Sequence, residues 1–399
     1  MLPTYDAVVI GGGPAGATAA QLIAARGHSV LLLDRGGRVK PCGGAIPPRL
    51  IRDFAIPDEL LVAKARCARM VAPSRHRVDI PIENGFVGMV DRHRFDPWLR
   101  ERAVAAGAQL RKGTFESIEQ DDDGGCVVHF KQREGARDAE PDATRVRARA
   151  VIGADGARSE VARQAVPRAR EGRFVFAYHE IVRTPAWLPR GYDPDRCDVF
   201  YQGRISPDFY GWVFPHGDTL SVGTGSADKG FSLRQAVADL REMTGMQGAE
   251  TLRREGAPIP MKPLPRWDNG RNVVLAGDAA GVVAPASGEG IYYAMLGGQL
   301  AAEAVLELLA THDPRALKQA RRRFMAEHGR VFQVLGLMQW FWYGSDKRRE
   351  RFVKICEDKD VQQLTFESYM NKVLSRRRPL AQLRIFLKDT AHLLGIARV

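Results

Sequence analysis

The sequence predicts an α/β protein with a parallel-sheet domain, a second domain on an antiparallel sheet, and a helical C-terminal region. Three observations carry that prediction. The chain opens on a strand, a glycine cluster, a helix and a second strand that ends at Asp34. Between 170 and 265 the pattern changes to aromatic-rich strands cut by Pro and Gly, and from 290 onward strand signals almost vanish. At 399 residues the chain has length for two or three domains.

The elements follow in order. Tyr5–Ile10 is a continuous apolar run closed by three glycines, the pattern of a fully buried parallel strand. Residues 14–26 are rich in Ala, Leu and Ile and read as a helix that Gly27 terminates. Val30–Leu33 is a second buried strand. A glycine-rich loop spans 36–44, and 92–107 reads as an amphipathic helix with an Arg-rich outer face. Strand-like runs near 108–118 and 126–131 flank Asp121–Asp123 and Gly124-Gly125, which read as a hairpin tip. The charged, Pro-containing segment 132–147 is expected to be a surface loop, with a strand returning at Ala148–Ile152. Phe174–Tyr178, Val199–Tyr201, Tyr210–Phe214 and Leu220–Val222 supply the antiparallel sheet. Asn272–Gly277 is again a buried strand, followed by a long apolar helix over 290–310.

Hydrophobic content of 45% with 27% charged residues fits a soluble globular protein, whereas a net charge of +12 points to an anionic partner. Nucleic acid is disfavoured, because no recognition motif accompanies the charge. Cys42, Cys67, Cys126, Cys197 and Cys356 are odd in number and none sits in a C-x-x-C spacing. Neither a disulfide framework nor a metal site is expected, and a reducing cytoplasm fits best. The N-terminus lacks a signal-peptide pattern, and no charge-free apolar stretch reaches the ~18–20 residues that span a bilayer.

Gly11-x-Gly13-x-x-Gly16 follows a strand, opens a helix and is followed by Asp34 at the end of the next strand. In that context each part has a physical role. Gly11 makes the tight turn, Gly13 lets backbone approach a pyrophosphate, and Gly16 lets helix and strand pack closely. Helix N-terminal N–H groups then meet the phosphate charge, and Asp34 accepts from ribose hydroxyls. A Rossmann-type dinucleotide site is the expectation.

Gly153-Ala154-Asp155-Gly156 after one strand and Gly277-Asp278 after another, taken with this fingerprint, resemble the flavoprotein hydroxylase and reductase superfamily of the p-hydroxybenzoate hydroxylase type. The resemblance implies FAD, with Asp278 on the ribityl chain and Arg92 of Asp91-Arg92-x-x-Phe95-Asp96 near the flavin. Gly288, Gly290 and Ile291 would open a helix beneath the flavin pyrimidine edge, where its dipole steadies the charge of reduced flavin. Ala15, Arg35, Phe115 and Asp155 complete the expected cofactor set, with Cys42, Gly43 and Gly44 in the glycine loop. The FAD-binding domain is expected over 1–70, 91–168 and 268–330, the substrate domain over 71–90 and 169–267, and the helical region over 331–399.

Lys40-Pro41-Cys42-Gly43-Gly44 resembles the geranylgeranyl reductase family, as does Tyr210-x-Trp212-x-Phe214-Pro215 followed after seven intervening residues by Gly223-x-Gly225. Gly85–Arg92, Ser287–Met295 and the segment Phe341–Phe352 are similar to the branch serving bacteriochlorophyll and chlorophyll synthesis. That resemblance implies reduction of three of the four double bonds of a geranylgeranyl chain to phytyl. The chain is carried on the pigment or as the free diphosphate. NADPH would be a transient reductant, since only one dinucleotide fingerprint is present. An isolated alkene needs a proton as well as a hydride, and Cys42 is the candidate acid or loop gate. Tyr210 and Trp212 are the candidates for shaping the prenyl channel.

Three other readings stand beside this one: an aromatic-ring monooxygenase on the same fold, a reductase of isoprenoid ether lipids, and a non-enzymatic flavin-bearing pigment-binding protein. Near the C-terminus Trp340, Phe341, Trp342 and Tyr343 precede Lys347, Arg348, Arg349, Arg351 and Lys354, with Arg376-Arg377-Arg378 beyond. Aromatics beside a basic cluster suit peripheral binding to an anionic membrane, here the photosynthetic inner or intracytoplasmic membrane. The alternative is a core helix followed by a solvated basic face.

Overall fold

The computed structural model describes residues 2–363 and 372, apart from 38, 84, 122, 133–141, 168 and 170–172. In chain order the elements begin with β1 Thr4–Ile10, α1 Pro14–Ala24, β2 Val30–Asp34, β3 Ala45–Ile46, α2 Pro48–Asp53, β4 Leu61–Ala65, β5 Cys67–Val71, β6 Arg77–Pro81 and β7 Val87–Val90. There follow α3 Arg92–Ala105, β8 Gln109–Lys112, β9 Thr114–Gln120, β10 Cys126–Gln132, β11 Asp142–Gly153, α4 Glu160–Ala165, β12 Phe174–Arg183, β13 Arg196–Phe200, β14 Gly211–His216 and β15 Thr219–Ser226. The last are α5 Leu233–Met243, β16 Thr251–Pro260, β17 Val273–Leu275, α6 Ile291–Thr311, α7 Lys318–Trp342 and α8 Asp346–Ile355. Two compact units result: Met1–Cys42, Arg92–Val175 and Ala257–Phe332 form the first, and Gly43–Asp91, Phe176–Gly256 and Gln333–Val399 the second.

The first unit is organised by a sheet in the order β8-β2-β1-β11-β10-β9, with β17 also on β11. β1 runs parallel to β2 and β11, placing Ala7 opposite Val30 and Val8 opposite Val151. Val8, Val9, Leu31, Leu32, Val151 and Ile152 have no exposure, which is why their runs are apolar without alternation. Helix α6 crosses α1 backbone to backbone: a Cβ on Gly298 would fall 2.1 Å from Ala15 O. By length and composition α6 is the one described helix able to cross a membrane, but 61% of that window is buried in the protein.

The expectation of a surface loop over 132–147 is corrected for its second half. Residues 142–147 belong to β11 and pair antiparallel with β10, Val146 opposite Val128. Arg145 and Arg149 point outward while Val146, Ala148 and Ala150 are buried, so charge density that suggested a loop is one face of an alternating strand. At the other end Gln132 closes β10 opposite Asp142, and 133–141 lie outside the described residues.

In the second unit the sheet order is β16-β12-β15-β14-β13-β5-β6, and β3-β7-β4 forms a smaller sheet. Pairing is antiparallel along β12-β15-β14-β13, while β13 meets β5 in parallel, Val199 opposite Met70. Helix α5 is capped by Ser232, whose Oγ accepts from Gln235 N, and buries Val237 and Leu240 against Val182, Val213, Leu220 and Val222. The C-terminal aromatic and basic run divides. Trp342 and Tyr343 are buried, whereas Trp340 is 72% exposed. Arg349, expected in the exposed basic cluster of an anionic-membrane surface, is instead buried and donates to Asp346 and to the carbonyls of Pro207 and Tyr343. Arg376, Arg377 and Arg378 lie outside the described residues.

Candidate functional site

Three glycines after β1 have different reasons to be glycine. Gly11 has φ +103° and a Cβ there would fall 2.4 Å from Ala154 O. A Cβ on Gly16 would fall 1.8 Å from Gly11 O. Gly13, by contrast, has an ordinary φ of −77°, and a Cβ on it would meet nothing within 4 Å. It N-caps α1 with no side-chain cap. The first turn of α1 starts at Pro14, which has no N–H, so the amides of Ala15 and Gly16 are the donors left without an intrahelical partner beside that open space, as phosphate binding requires.

Asp34 fixes the same loop from below. Its Oδ2 accepts from Gly12 N at 2.7 Å and its Oδ1 from Gly36 N at 2.8 Å. Each oxygen keeps a second lone pair for a ligand hydroxyl. Arg100, on α3, donates to Gly12 O at 3.1 Å. Arg35 is exposed beside Asp34, and Phe115 is half-buried on β9 opposite Phe130.

Asp278 follows β17, and its carboxylate is ion-paired with Lys40. The turn before α6 uses left-handed backbone at Ala286 and Gly288, and Gly290 caps the helix without a side-chain partner. A Cβ on Gly290 would lie 3.8 Å from Asp278 Oδ1, so carboxylate and helix N-terminus adjoin. Ile291, the first helical residue, is buried. Asp155 has a structural duty here: it accepts from Ser159 Oγ and from the Glu160 and Val161 amides at 2.7 and 3.2 Å, at the start of α4. Burial holds its carboxyl above the ordinary aspartate range despite those bonds.

On α3, Arg92 is buried and forms a two-pronged bond to Asp96 at 2.6 and 2.8 Å. Burial opposes the guanidinium charge, but Asp96 and then Cys42, which it also hydrogen-bonds, raise its pKa above the arginine norm. Cys42 is thus held beside a permanent cation. The roles of Lys40 and Arg100 were missed from the sequence. Arg92, Asp96 and Arg100 recur every four residues along α3, a one-face spacing that signals the second of these.

In the second unit Tyr210 and Trp212 are both buried. Tyr210 stacks on Phe209 with centroids 4.2 Å apart, and Trp212 Nε1 donates to Ser221 Oγ at 3.0 Å. Trp212 stands opposite Gly223 in the β14–β15 pairing, where a Cβ would fall 2.3 Å from the indole. That register explains the sequence spacing between the aromatic strand and Gly223. Gly43 lies over the same edge, its absent Cβ 3.1 Å from the Phe214 ring and 3.8 Å from Trp212 Nε1. Gly44 has φ +74° and leaves no room for a side chain beneath Val90 O.

The family model described as an FAD binding domain matches residues 4–326. The cradle at Gly13, the uncapped starts of α1 and α6 and the carboxylates of Asp34 and Asp278 fit that cofactor. The chain is 58% identical over 392 residues to the geranylgeranyl diphosphate reductase of Rhodobacter capsulatus, covering 98% of each protein. It is 36% identical to the chloroplastic geranylgeranyl diphosphate reductase of Oryza sativa, over 94% of this chain and 83% of that protein. Among solved structures, a geranylgeranyl bacteriochlorophyll reductase-like protein from Thermoplasma acidophilum superposes with a TM-score of 0.83 at 22% identity, covering 98% of this chain and 100% of that one.

Proposed function

The chain belongs to the FAD-binding-domain family and, within it, to the geranylgeranyl reductases, and we propose that it saturates three double bonds of a geranylgeranyl chain to give phytyl. It is an oxidoreductase acting on carbon–carbon double bonds. The observation that carries the reading is the likeness to a geranylgeranyl diphosphate reductase along nearly the whole of both chains. NADPH is the proposed reductant, visiting transiently because the sequence has one dinucleotide fingerprint.

Reduced FAD, when bound, supplies a hydride. The first turn of α1 holds its pyrophosphate, Asp34 its ribose hydroxyls and Asp278 its ribityl chain, while the α6 N-terminus stabilises negative charge. Cys42 donates the proton that the alkene needs at its second carbon, with Arg92 fixing the thiol's position through their hydrogen bond. Tyr210 and Trp212 form part of the apolar surface that receives the prenyl chain.

The enzyme is also proposed to dock on an anionic membrane, where prenylated substrates reside. Val334, Leu337 and Trp340, three residues apart on α7, are 41%, 63% and 72% exposed, and α8 carries Lys347, Arg351 and Lys354 just beyond.

The deciding experiment incubates the protein anaerobically, its flavin kept reduced by excess dithionite, with geranylgeranyl-pigment and, separately, with geranylgeranyl diphosphate, and resolves products by mass. Gain of six hydrogens in either substrate is the expected result. Reduction of neither, with aerobic hydroxylation of an aromatic instead, would transfer the protein to the monooxygenase reading.

A further inference from the structure

The second unit holds a buried polar chain that the chemistry above does not use. His179 Nε2 lies 3.0 Å from Glu255 Oε2, and His179 Nδ1 lies 2.9 Å from Ser221 Oγ. Trp212 Nε1 reaches that same hydroxyl at 3.0 Å. His179 and Trp212 are nearly inaccessible and Ser221 wholly so. Glu255 is in turn paired with Arg253 at 3.2 Å. A buried polar series is costly unless its members satisfy one another, and these do.

Donor chemistry fixes where the hydrogens sit. An indole N–H only donates, so Ser221 Oγ accepts from Trp212. The Glu255 carboxylate only accepts, which puts the ring proton of a neutral His179 on Nε2 and leaves Nδ1 to accept the hydroxyl's own proton. The series ends at an indole N–H, which does not pass protons to a substrate. It is therefore a brace and not a relay. Sheet register makes the brace possible: Gly223 pairs with His179 on one side and Trp212 on the other. A Cβ on Gly223 would fall 2.5 Å from His179 Cβ as well as against the indole. The absence of a side chain there admits both rings to one row, with centroids 6.3 Å apart.

We propose that His179 is a positioning residue for the prenyl substrate: anchored by Glu255, it orients the Ser221 hydroxyl that holds the Trp212 indole in place. This rests on the reading of Trp212 as part of the prenyl-binding surface. Ser221→Ala leaves a buried indole N–H unpaired and releases the ring, and His179→Ala removes the support one step further back.

The test is a double-mutant cycle on the oxidised holoenzyme, read as the equilibrium Kd for geranylgeranyl diphosphate and, separately, as KM and kcat. Ser221→Ala should raise Kd and KM about tenfold with a smaller change in kcat. His179→Ala should do the same, and Ser221→Thr, which keeps the hydroxyl, should restore the parental value. In a Trp212→Phe background Ser221→Ala should add nothing, because no N–H remains to be held. Flavin content and melting temperature establish that each variant is folded; should Ser221→Ala lose flavin, His179→Gln carries the same cycle. If Ser221→Ala raises Kd equally with and without the indole N–H, or not at all, the brace is overturned. If Trp212→Phe itself leaves Kd unchanged, the reading of the prenyl surface falls as well.

Discussion

Gly13 and Gly16 belong to one motif but answer to different forces, and substituting each by alanine separates binding from folding. Gly13 has φ and ψ that alanine adopts freely and open space where its Cβ would go. Gly13→Ala should fold with stability within about 0.5 kcal/mol of the parent. It should nonetheless lose flavin, since the added methyl stands where pyrophosphate meets the α1 amides. Gly16→Ala drives a methyl into Gly11 O and should cost about 1–3 kcal/mol or more. Flavin absorbance per protein and urea midpoints distinguish the two; full flavin in Gly13→Ala would remove the phosphate from this position. Cys42 is tested in the same way against its alternative as a small residue in a tight loop. Cys42→Ser and Cys42→Ala should keep FAD, because the Arg92–Asp96 pair holds α3 without the thiol. Alkene reduction in Cys42→Ala should slow by about a hundredfold or more, the range of a general acid. Parental turnover in both variants would leave the thiol a packing role only.

Among the elements, those with a single dominant period were legible. The runs at β1, β2 and β17 are apolar on both faces, and α1 and α6 are too long and apolar to read as anything but buried helices. Legibility failed where two patterns were superposed. β11 alternates arginines with buried Val146 and Ala148, so its charge outweighed its period. The strands β4 to β7 and helix α5 were not foreseen, because short or half-exposed runs depend on neighbours that a local window does not contain. The same holds for the site. The fingerprint glycines were visible because they are local, whereas the Lys40–Asp278 pair joins residues 238 apart. Helix α5 is tied down by a contact of that kind. Arg241 donates to Glu180 on β12 at 2.5 Å and to the carbonyls of Met246 and Ala249, and Glu180 also accepts from Tyr178 and Arg254. Burial raises the Glu180 pKa, but Arg241, Tyr178 and Arg254 more than offset it, so the folded value lies below normal. A depressed folded pKa contributes stability above the unfolded value of about 4.3 and loses it as pH falls through the folded one. Glu180→Gln should therefore cost about 3 kcal/mol at pH 7, as breaking a buried pair does. The gap between parent and variant should be constant down to about pH 5 and shrink below about pH 4. Equal gaps in urea midpoint at both ends would show that the glutamate's charge is not what anchors α5.

At the scale of the whole molecule the excess of cations, +12 overall, needs an anionic counterpart, and a single diphosphate neutralises little of it. The membrane surface proposed above would account for the charge together with the exposed apolar stripe of α7, which no charge argument explains. The structure also decides which residues are able to take part. Trp342 and Tyr343 are buried, and Arg349 is committed to Asp346, Pro207 and Tyr343, so none of the three serves a bilayer directly. Arg348 lies over the Phe341 ring at 4.5 Å and donates to Phe341 O, bracing the junction of α7 and α8. The exposed Lys347 and Lys354, with the half-buried Arg351, form the proposed electrostatic part, and Leu337 with Trp340 the apolar part. Each cation near acidic lipid contributes about 1 kcal/mol, screened over a Debye length of ~10 Å at 0.1 M salt. Burial of a large apolar side chain contributes about 1.5–3 kcal/mol and is indifferent to salt. The two parts are therefore separable by titration. Replacing Lys347, Arg351 and Lys354 by Gln should abolish the salt-dependent fraction of binding to acidic vesicles. Leu337→Ser with Trp340→Ser should instead lower binding equally at all salt concentrations. Both variants should melt close to the parent, since every side chain changed except the half-buried Arg351 is exposed. If the triple variant sediments with acidic vesicles as the parent does at low salt, these three cations are a solvated face and the anionic partner must be sought elsewhere on the molecule.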